Sequence, residues 1–142
     1  MVQTILVAGF GLVYFLSPGP RLFTPGTLRI AGSLLCAIGV FLLMAAIVAL
    51  RHAIQVEPEP KPRAELVQSG VYRRFRHPIY TAMLLLVVGL FLRNGTVPVA
   101  VAGGVVIAFL AFKVRVEERF LAARYPDYEA YRRRTWGLLP GL

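Results

Sequence analysis

The membrane character of this chain rests first on Ile30–Leu50, which reads IAGSLLCAIGVFLLMAAIVAL. This stretch contains no Lys, Arg, Asp or Glu, and it has about the 20 residues that an α-helix needs to cross a bilayer. Three shorter apolar blocks, 4–17, 79–92 and 96–112, also lack charged residues. Flanking residues or snorkelling arginines would have to complete those spans. The sequence therefore predicts an all-α, multi-pass membrane helix bundle with about four transmembrane helices, in one domain covering residues 1–142.

The overall composition agrees with a membrane protein. Hydrophobic residues make up 57% of the chain, which is more than a soluble domain usually contains. A cleaved signal peptide is the alternative explanation of the first apolar block. That explanation is disfavoured, because no basic residue precedes the block and Ser17-Pro18-Gly19-Pro20 is a poor small-residue cleavage site.

The distribution of basic residues predicts the orientation in the membrane. All of the 16 Lys and Arg residues except Arg21, Arg29 and Arg93 lie in 51–76 or 113–134. Because basic loops stay on the cytoplasmic side, we expect the loop 51–78, the tail 113–142 and both termini to be cytoplasmic. The net charge of +9 then follows from topology and from attraction to anionic membrane lipids, and no nucleic-acid partner is expected.

Several common site types are disfavoured by the residues present. Cys36 is the single cysteine, and His52 and His77 are the two histidines, without HExxH or paired-His spacing. A metal site is therefore not expected. The sequence also contains no GxGxxG, P-loop or GxSxG motif.

The stretch Gly70–Tyr80, GVYRRFRHPIY, sets basic and aromatic residues directly before an apolar block. Pro78 suits the first position of a helix, and the residue before a proline is extended, which places His77 at the helix cap. At the membrane–water boundary, His77 and the positive end of the helix dipole could receive an anionic group. Tyr80 would share a helix face with His77. The alternative is plain interfacial anchoring by Arg, His and Tyr.

The tail carries a second group of polar residues, KVRVEERFLAARYPDYEAYRRR. Glu117 and Glu118 follow the last apolar block closely, and a carboxylate there could bind an amine or ammonium group. A helix-stabilising pair between Lys113 and Glu117 is the simpler interpretation. Tyrosines recur every third residue, at 125, 128 and 131, in a helix interrupted near Pro126. Such a stripe is more often packing or membrane-interface aromatics than part of a cofactor site.

Three stretches, taken in order, carry a resemblance to a known family: Glu65–Tyr80 (ELVQSGVYRRFRHPIY), Val116–Leu121 (VEERFL) and Asp127–Pro140 (DYEAYRRRTWGLLP). With a two-span hairpin between the first and the second, they resemble the isoprenylcysteine carboxyl methyltransferase family. That family is part of a wider group of integral-membrane methyltransferases that includes phospholipid N-methyltransferases. The resemblance implies that the loop, the last helices and the tail form a pocket for S-adenosylmethionine without a Rossmann domain.

The resemblance also implies a set of site residues. The cofactor-binding residues would be Gln55, Ala64, Glu65, Leu66, Val67, Tyr72, His77, Pro78, Ile79, Tyr80 and Glu117. His77 and the helix N-terminus would suit the cofactor's carboxylate, Glu117 its ammonium group, and tyrosines its adenine and sulfonium. His77 and Glu118 are the candidate catalytic residues, as bases for an amine, thiol or phenol acceptor.

The substrate site departs from the family pattern. An arginine that handles the substrate carboxylate in the eukaryotic prenylcysteine enzymes falls here on Lys113, and Arg115 lies nearby but out of register. An ammonium group can pair with a carboxylate, although it lacks the bidentate fork of arginine. Lys113 and Arg115 are therefore the candidate substrate-binding residues.

The function that the resemblance implies is an S-adenosylmethionine-dependent methyltransferase, integral to the membrane, that acts on a lipophilic acceptor, with a carboxylate among the options. One alternative is an NADPH-dependent membrane reductase of the sterol-reductase type, which carries a similar His-Pro-x-Tyr turn. Another is a non-catalytic membrane protein that kept the fold.

Overall fold

The structure is a computed structural model, and it describes residues 2–17, 19–23, 25–55 and 66–139. This part of the chain folds into α1 (Val2–Leu16), α2 (Gly26–Gln55), α3 (Pro78–Asn94), α4 (Val97–Arg124) and α5 (Tyr128–Arg133), with one 3₁₀ turn at Gly70–Arg73. No β-strand forms among these residues. The predicted all-helical fold is confirmed, and each apolar block lies almost entirely within one of the first four helices.

Prolines and glycines set the ends of α3 and α4. Pro78 is the first residue of α3, where its missing N–H costs nothing. Gly95 ends α3 with a φ of +65°, a left-handed conformation that favours glycine. Helix α4 ends at Arg124, because the next residue, Tyr125, is extended (φ −115°, ψ 114°) before Pro126.

Helix α4 is longer than the predicted span 96–112. It continues through Arg124, since neither glycine nor proline occurs between Phe112 and Pro126. Nζ of Lys113 lies 3.5 Å from Oε1 of Glu117, the i,i+4 pair that the sequence suggested. The tail 113–142 therefore begins as a continuation of the fourth helix rather than as a separate element.

Small residues bring α2 and α3 into close contact. A Cβ atom added to Gly32 would lie 2.5 Å from the carbonyl oxygen of Gly89, and one added to Gly89 would lie 2.7 Å from Sγ of Cys36. A Cβ on Gly39 would lie 3.1 Å from the carbonyl oxygen of Ala82, which is itself fully buried. The two backbones thus approach each other without intervening side chains, the packing mode favoured between helices in membranes.

The remaining contacts order the helices across the bundle. Helix α3 contacts both α2 and α4, and α1 packs on α4. A buried apolar cluster fills the space between α1, α3 and α4: Phe10, Val87, Val99, Val106 and Leu110. The helices therefore follow one another as α2, α3, α4 and α1.

The bundle has two poles. At one pole the α1–α2 connection meets the α3–α4 turn, where the backbone N–H of Leu22 donates to the carbonyl oxygen of Gly95 at 2.6 Å. The amide of Asn94 donates to the carbonyl oxygen of Tyr14 at 3.2 Å at the same pole. We call the opposite end the loop pole; it comprises the end of α2, residues 66–78, the last turns of α4, and the segment 125–139.

Two helices, α2 and α4, are long and apolar enough to cross a membrane. Few residues in their most apolar windows are buried inside the protein, 17% in α2 and 28% in α4. Phe41 on α2 is 76% exposed and Phe112 on α4 is 65% exposed. A soluble protein does not present such helices to water, so these faces fit a lipid environment. Helices α1 and α3 are apolar but shorter.

Candidate active site at the loop pole

A short backbone pairing closes the loop pole. The backbone N–H of Trp136 donates to the carbonyl oxygen of Arg74 at 2.8 Å, and the N–H of Arg76 donates to the carbonyl oxygen of Trp136 at 2.8 Å. The rings of Phe75 and Trp136 meet edge to face, with centroids 5.3 Å apart. The hydroxyl of Thr81 on α3 donates to the carbonyl oxygen of Leu138 at 2.9 Å. The segment after α5 is thereby tied to the start of α3.

The side chain of Arg76 connects α4 to the C-terminal segment within this pole. It is only 7% exposed, and its Nε donates to Oε1 of Glu118 at 2.9 Å. Its Nη1 donates to the carbonyl oxygens of Arg132 at 2.8 Å and Thr135 at 2.5 Å. Charge-assisted bonds of this kind are the strong ones. Interfacial anchoring, the simpler interpretation of the basic cluster, therefore does not apply to Arg76.

A cavity of about 470 Å³ lies at the loop pole, within the size range of small-molecule sites. The predicted cofactor-binding residues whose side chains the structure describes all line it: Leu66, Val67, Tyr72, His77, Pro78, Ile79, Tyr80 and Glu117. Ala64, Glu65 and the side chain of Gln55 lie outside the described residues. Residues that are far apart in sequence are thus brought to one concave surface.

The sequence suggested that His77 lies open at the membrane–water boundary. In the structure its side chain is buried instead. Its side chain is 5% exposed, because the ring of Tyr80 stacks on it with centroids 5.7 Å apart. Nδ1 lies 3.8 Å from Oε2 of Glu117, and Nε2 lies 3.4 Å from Oε1 of Glu118. Burial lowers the pKa of His77 below its ordinary 6.5, and the charges of Glu118 and Glu117 only partly oppose this. The imidazole is therefore neutral at pH 7, and Nε2 has no hydrogen-bond partner among the described residues.

The carboxylate of Glu117 is held mainly through Oε1, while Oε2 lies 3.8 Å from Nδ1 of His77. The hydroxyl of Tyr80 donates to its Oε1 at 2.7 Å, and Nζ of Lys113 lies 3.5 Å from the same oxygen. The ammonium group of Lys113 also lies 5.4 Å from the centre of the Tyr80 ring. Since Glu117 lines the cavity and keeps 36% of its side chain exposed, its second oxygen can receive a cationic group.

Tyr128 lines the cavity and carries a buried hydroxyl. The residue is 1% exposed, yet its hydroxyl has no hydrogen-bond partner among the described residues. Burial, with the nearby charge of Glu118, raises the pKa of Tyr128 to about 12, so the hydroxyl stays protonated at neutral pH. Tyr131, by contrast, donates from its hydroxyl to the carbonyl oxygen of Tyr72 at 2.7 Å. Buried polar groups without a partner are rare and costly in proteins, so Tyr128 is a candidate for contacting a ligand.

The other predicted residues lie around the cavity rather than on its wall. Glu118 contacts His77 from behind and is held by Arg76. Lys113 reaches Glu117 and the Tyr80 ring. Arg115 is exposed on α4. Its neighbour Val114 is buried, so the two residues lie on different faces of the helix.

Six further residues line the cavity and were not predicted as site residues: Leu50, Arg76, Leu121, Tyr125, Tyr128 and Tyr131. The tyrosine stripe was the available signal for three of them, although its spacing favoured packing or interface aromatics. Arg76 directly precedes His77-Pro78 in the stretch that carries the family resemblance, but no role in the site was predicted for it. Its inward direction depends on the carbonyl oxygens of the C-terminal segment, which are distant in sequence.

The arrangement has defined chemical capacities. Aromatic rings and aliphatic side chains supply most of the wall, and Glu117, His77 and Tyr128 supply a negative charge, a neutral imidazole and a hydroxyl. Such a cavity fits an amphipathic small molecule that carries a positive group. No group of three or more His, Cys, Asp or Glu side chains is placed to hold a metal ion within the described ranges.

Comparison with known proteins places this geometry in a family. A family model described as phospholipid methyltransferase matches residues 27–128, which is more than half of the chain. The cobalt-zinc-cadmium resistance protein CzcN of Cupriavidus metallidurans is 39% identical over 80 residues, covering 54% of this chain and 36% of that protein. The nickel-cobalt-cadmium resistance protein NccN of Alcaligenes xylosoxydans xylosoxydans is 30% identical over 79 residues, covering 55% and 37% respectively. The matched part of the chain thus spans well under half the length of these curated relatives.

No solved structure matches the chain significantly. The family match includes α2, α3, α4 and the His77-Pro78-Ile79-Tyr80 turn, and it ends at Tyr128. It confirms the resemblance to integral-membrane methyltransferases that the sequence motifs indicated. With most of the cavity and all but the last segment of the loop pole inside the match, this chain belongs to the phospholipid methyltransferase family.

Proposed function

We propose that the protein is an integral-membrane, S-adenosylmethionine-dependent methyltransferase whose acceptor is lipophilic. The observation that carries the proposal is the cavity at the loop pole. It joins the His77 turn, Glu117 and the tyrosines of the C-terminal segment on one surface, and the family is one of methyltransferases.

The polar groups of the cavity fit this cofactor. Glu117 would hold the cofactor's ammonium group, since its carboxylate keeps one oxygen outside the contacts with Tyr80 and Lys113. Backbone N–H groups in the first turn of α3, which have no intrahelical partner, suit the cofactor's carboxylate. The unpaired hydroxyl of Tyr128 would donate a hydrogen bond to the bound molecule. Aromatic faces such as those of Tyr72 and Tyr125 suit adenine or a sulfonium.

The chain's own residues would position the acceptor and receive its proton. When bound, S-adenosylmethionine supplies an electrophilic methyl group. A carboxylate acceptor needs no base, but an amine, thiol or phenol acceptor must lose a proton. His77 is neutral at pH 7 and can take that proton, and Glu118 at 3.4 Å would then stabilise the imidazolium. The largely apolar wall would limit the water around the reacting groups.

A membrane location explains how a lipophilic acceptor reaches the cavity. We propose four spans formed by α1 to α4, with the loop pole on the cytoplasmic side, because most of the basic residues lie there. The cavity is partly formed by Leu50 and Leu121, which belong to the two long apolar helices. A lipophilic molecule could therefore enter from the bilayer rather than from water.

The names of the two relatives refer to metal resistance, and we do not propose metal binding for this chain. Within its described residues, no cluster of metal-ligating side chains occurs. Methylation of a membrane component is compatible with the metal-resistance names of these relatives. The family match supports the assignment of methyltransferase activity.

Cofactor binding by the purified protein tests the proposal. Calorimetry in detergent should show binding of S-adenosylmethionine but not of NADPH. Glu117→Gln should weaken the binding roughly ten- to a hundredfold, because it removes a bond to a charged group worth about 1.5–3 kcal/mol. Glu129→Gln is the matched control, since Glu129 is exposed and lies outside the cavity. Binding of NADPH alone would support the membrane reductase instead, and binding of neither would overturn the enzyme assignment.

A further inference from the structure

A second cavity of about 530 Å³ lies beside the first one at the loop pole. We call it the arginine cavity and define it by Gln68, Arg73, Arg74, Arg134 and Trp136. Tyr131 contributes to both cavities and forms part of the wall between them. The first cavity is mainly apolar and aromatic, whereas the second is lined by three arginines, which are also exposed to solvent.

Two of these guanidinium groups are held in place by neighbouring side chains. Nη2 of Arg134 donates to Oε1 of Gln68 at 2.7 Å. The guanidinium carbon of Arg74 lies 6.0 Å from the centre of the Trp136 ring, at cation–π range. The backbone pairing of Arg74 with Trp136 fixes the same side of the cavity. Arg74 and Arg134 are therefore positioned by the fold, and Arg73 lines the cavity beside them.

The charge of the cluster has no counter-ion in the part of the chain that the structure describes. Two other arginines of the loop pole are paired: Arg76 with Glu118, and Arg132 with Glu129 and Glu118. No described carboxylate lies within ion-pair distance of the three arginines of the arginine cavity. Three positive charges around one concavity create a strong local attraction for an anion.

We propose that the arginine cavity binds a phosphate group, carried either by an anionic phospholipid or by a soluble phosphate. Guanidinium groups match phosphate oxygens in bidentate geometry, and the cavity is large enough for a headgroup. Trp136 suits a site at the membrane surface, where tryptophan is enriched. This inference does not depend on the methyltransferase proposal, because it concerns different residues and a different ligand.

The test compares two triple variants of the full chain. Arg73→Gln/Arg74→Gln/Arg134→Gln removes the arginine cavity, while Arg51→Gln/Arg119→Gln/Arg133→Gln removes the same charge from exposed positions outside both cavities. One arm titrates sodium phosphate at constant ionic strength into the protein in a neutral detergent. The other measures retention of phosphatidylglycerol by native mass spectrometry, from nanodiscs containing phosphatidylglycerol and phosphatidylcholine.

We expect the cavity variant to lose at least about tenfold in affinity or retention in one of the two arms, and the control variant to change little. Loss in the phosphate arm identifies a soluble ligand, and loss only in the lipid arm identifies a headgroup. Equal losses in both variants would show non-specific charge attraction and overturn the proposal, as would no loss in either arm.

A single substitution provides a second test that does not depend on the folding of the triple variant. Gln68→Glu sets a carboxylate beside Arg134 on an exposed position, and it should compete with phosphate and reduce binding. Gln68→Asn adds no charge and should retain binding. If Gln68→Glu binds phosphate and phosphatidylglycerol as well as the unmodified protein does, the assignment of the site is wrong.

Discussion

Nε2 of His77 lies 3.4 Å from Oε1 of Glu118, the same oxygen that accepts a hydrogen bond from Nε of Arg76 at 2.9 Å. Burial lowers the pKa of His77 below its ordinary 6.5 although two carboxylates lie beside it, and the positive charge of Arg76 acts in the same direction. A neutral imidazole is thus held in a buried position at the cavity, as the proposed role of His77 as proton acceptor requires.

The first prediction concerns the titration of His77. Its pKa should lie below 6.5, and Glu118→Gln should lower it further, because the glutamate's negative charge raises it. NMR of ¹³C-labelled histidine measures this directly. The chain has only two histidines, so His52→Asn and His77→Asn variants assign the signals. A His77 pKa above 6.5 would contradict the assignment of a neutral base.

The same titration predicts a pH dependence of stability. The unfolded chain binds the His77 proton more readily than the folded one, so this group reduces stability as the pH falls below about 6.5. Above that pH the effect disappears. If His77 is the base, the rate of methyl transfer to a proton-bearing acceptor should also fall at acid pH, with its midpoint below 6.5. His77→Asn should remove this limb of the profile.

The second prediction separates a ligand-binding role of Tyr128 from a packing role. Tyr128→Phe removes a buried hydroxyl that has no partner among the described residues, and it should leave the free energy of unfolding unchanged or slightly higher. Affinity for S-adenosylmethionine should fall about two- to tenfold, the effect of one neutral hydrogen bond. Calorimetry and denaturant titration provide the two readouts. Tyr131→Phe is the contrasting variant; it should lower stability, since its hydroxyl donates to Tyr72.

The third prediction concerns the close contact between α2 and α3. Gly89→Ala should destabilise the bundle by about 1–3 kcal/mol, because the added Cβ would lie 2.7 Å from the carbonyl oxygen of Gly32. Unfolding in a detergent titration measures the loss. Gly104→Ala is the control, since nothing lies within 4 Å of a Cβ at that position. Equal stability of the two variants would show that this helix contact is looser than the structure has it.

The fourth prediction addresses the acceptor. If Lys113 holds a substrate carboxylate, Lys113→Gln should raise KM or lower kcat while cofactor affinity persists. If Lys113 only pairs with Glu117, at 3.5 Å in the structure, turnover should hardly change. An effect of Arg115→Gln without an effect of Lys113→Gln would show that the family register is shifted here. No effect of either variant would favour a neutral or amine acceptor.

The fifth prediction is the orientation of the bundle. In a Cys36→Ser background, a membrane-impermeant maleimide should label Arg21→Cys on intact cells, and it should label Arg133→Cys only after the membrane is opened. These positions are exposed at opposite poles. Labelling of both on intact cells, or of Arg133→Cys alone, would contradict the proposed four-span topology with a cytoplasmic loop pole.

Local signals in the sequence were sufficient for the helices. Apolar blocks without charges, Pro78 at a helix start, Gly95 at a helix end and Pro126 after another are all short-range features, and each acts on the backbone within a few residues. The family motifs likewise lie in contiguous stretches, so the loop residues of the cavity could be predicted from the sequence by itself. The length of α4 was underestimated because hydropathy marks where apolar residues end, not where the helix ends.

Contacts between distant segments determined the rest. Arg76 and its two basic neighbours are alike in sequence, but only Arg76 finds Glu118 and two carbonyl oxygens of the C-terminal segment when the chain closes. Arg74 and Arg134, separated by the whole α3–α4 hairpin, face one cavity for the same reason. The spacing of the tyrosines predicts a shared helix face, whereas the burial of Tyr128 and the lack of a partner for its hydroxyl among the described residues depend on where α5 packs. A side chain's direction, burial and pKa are set by such non-local neighbours, and a local pattern does not encode them.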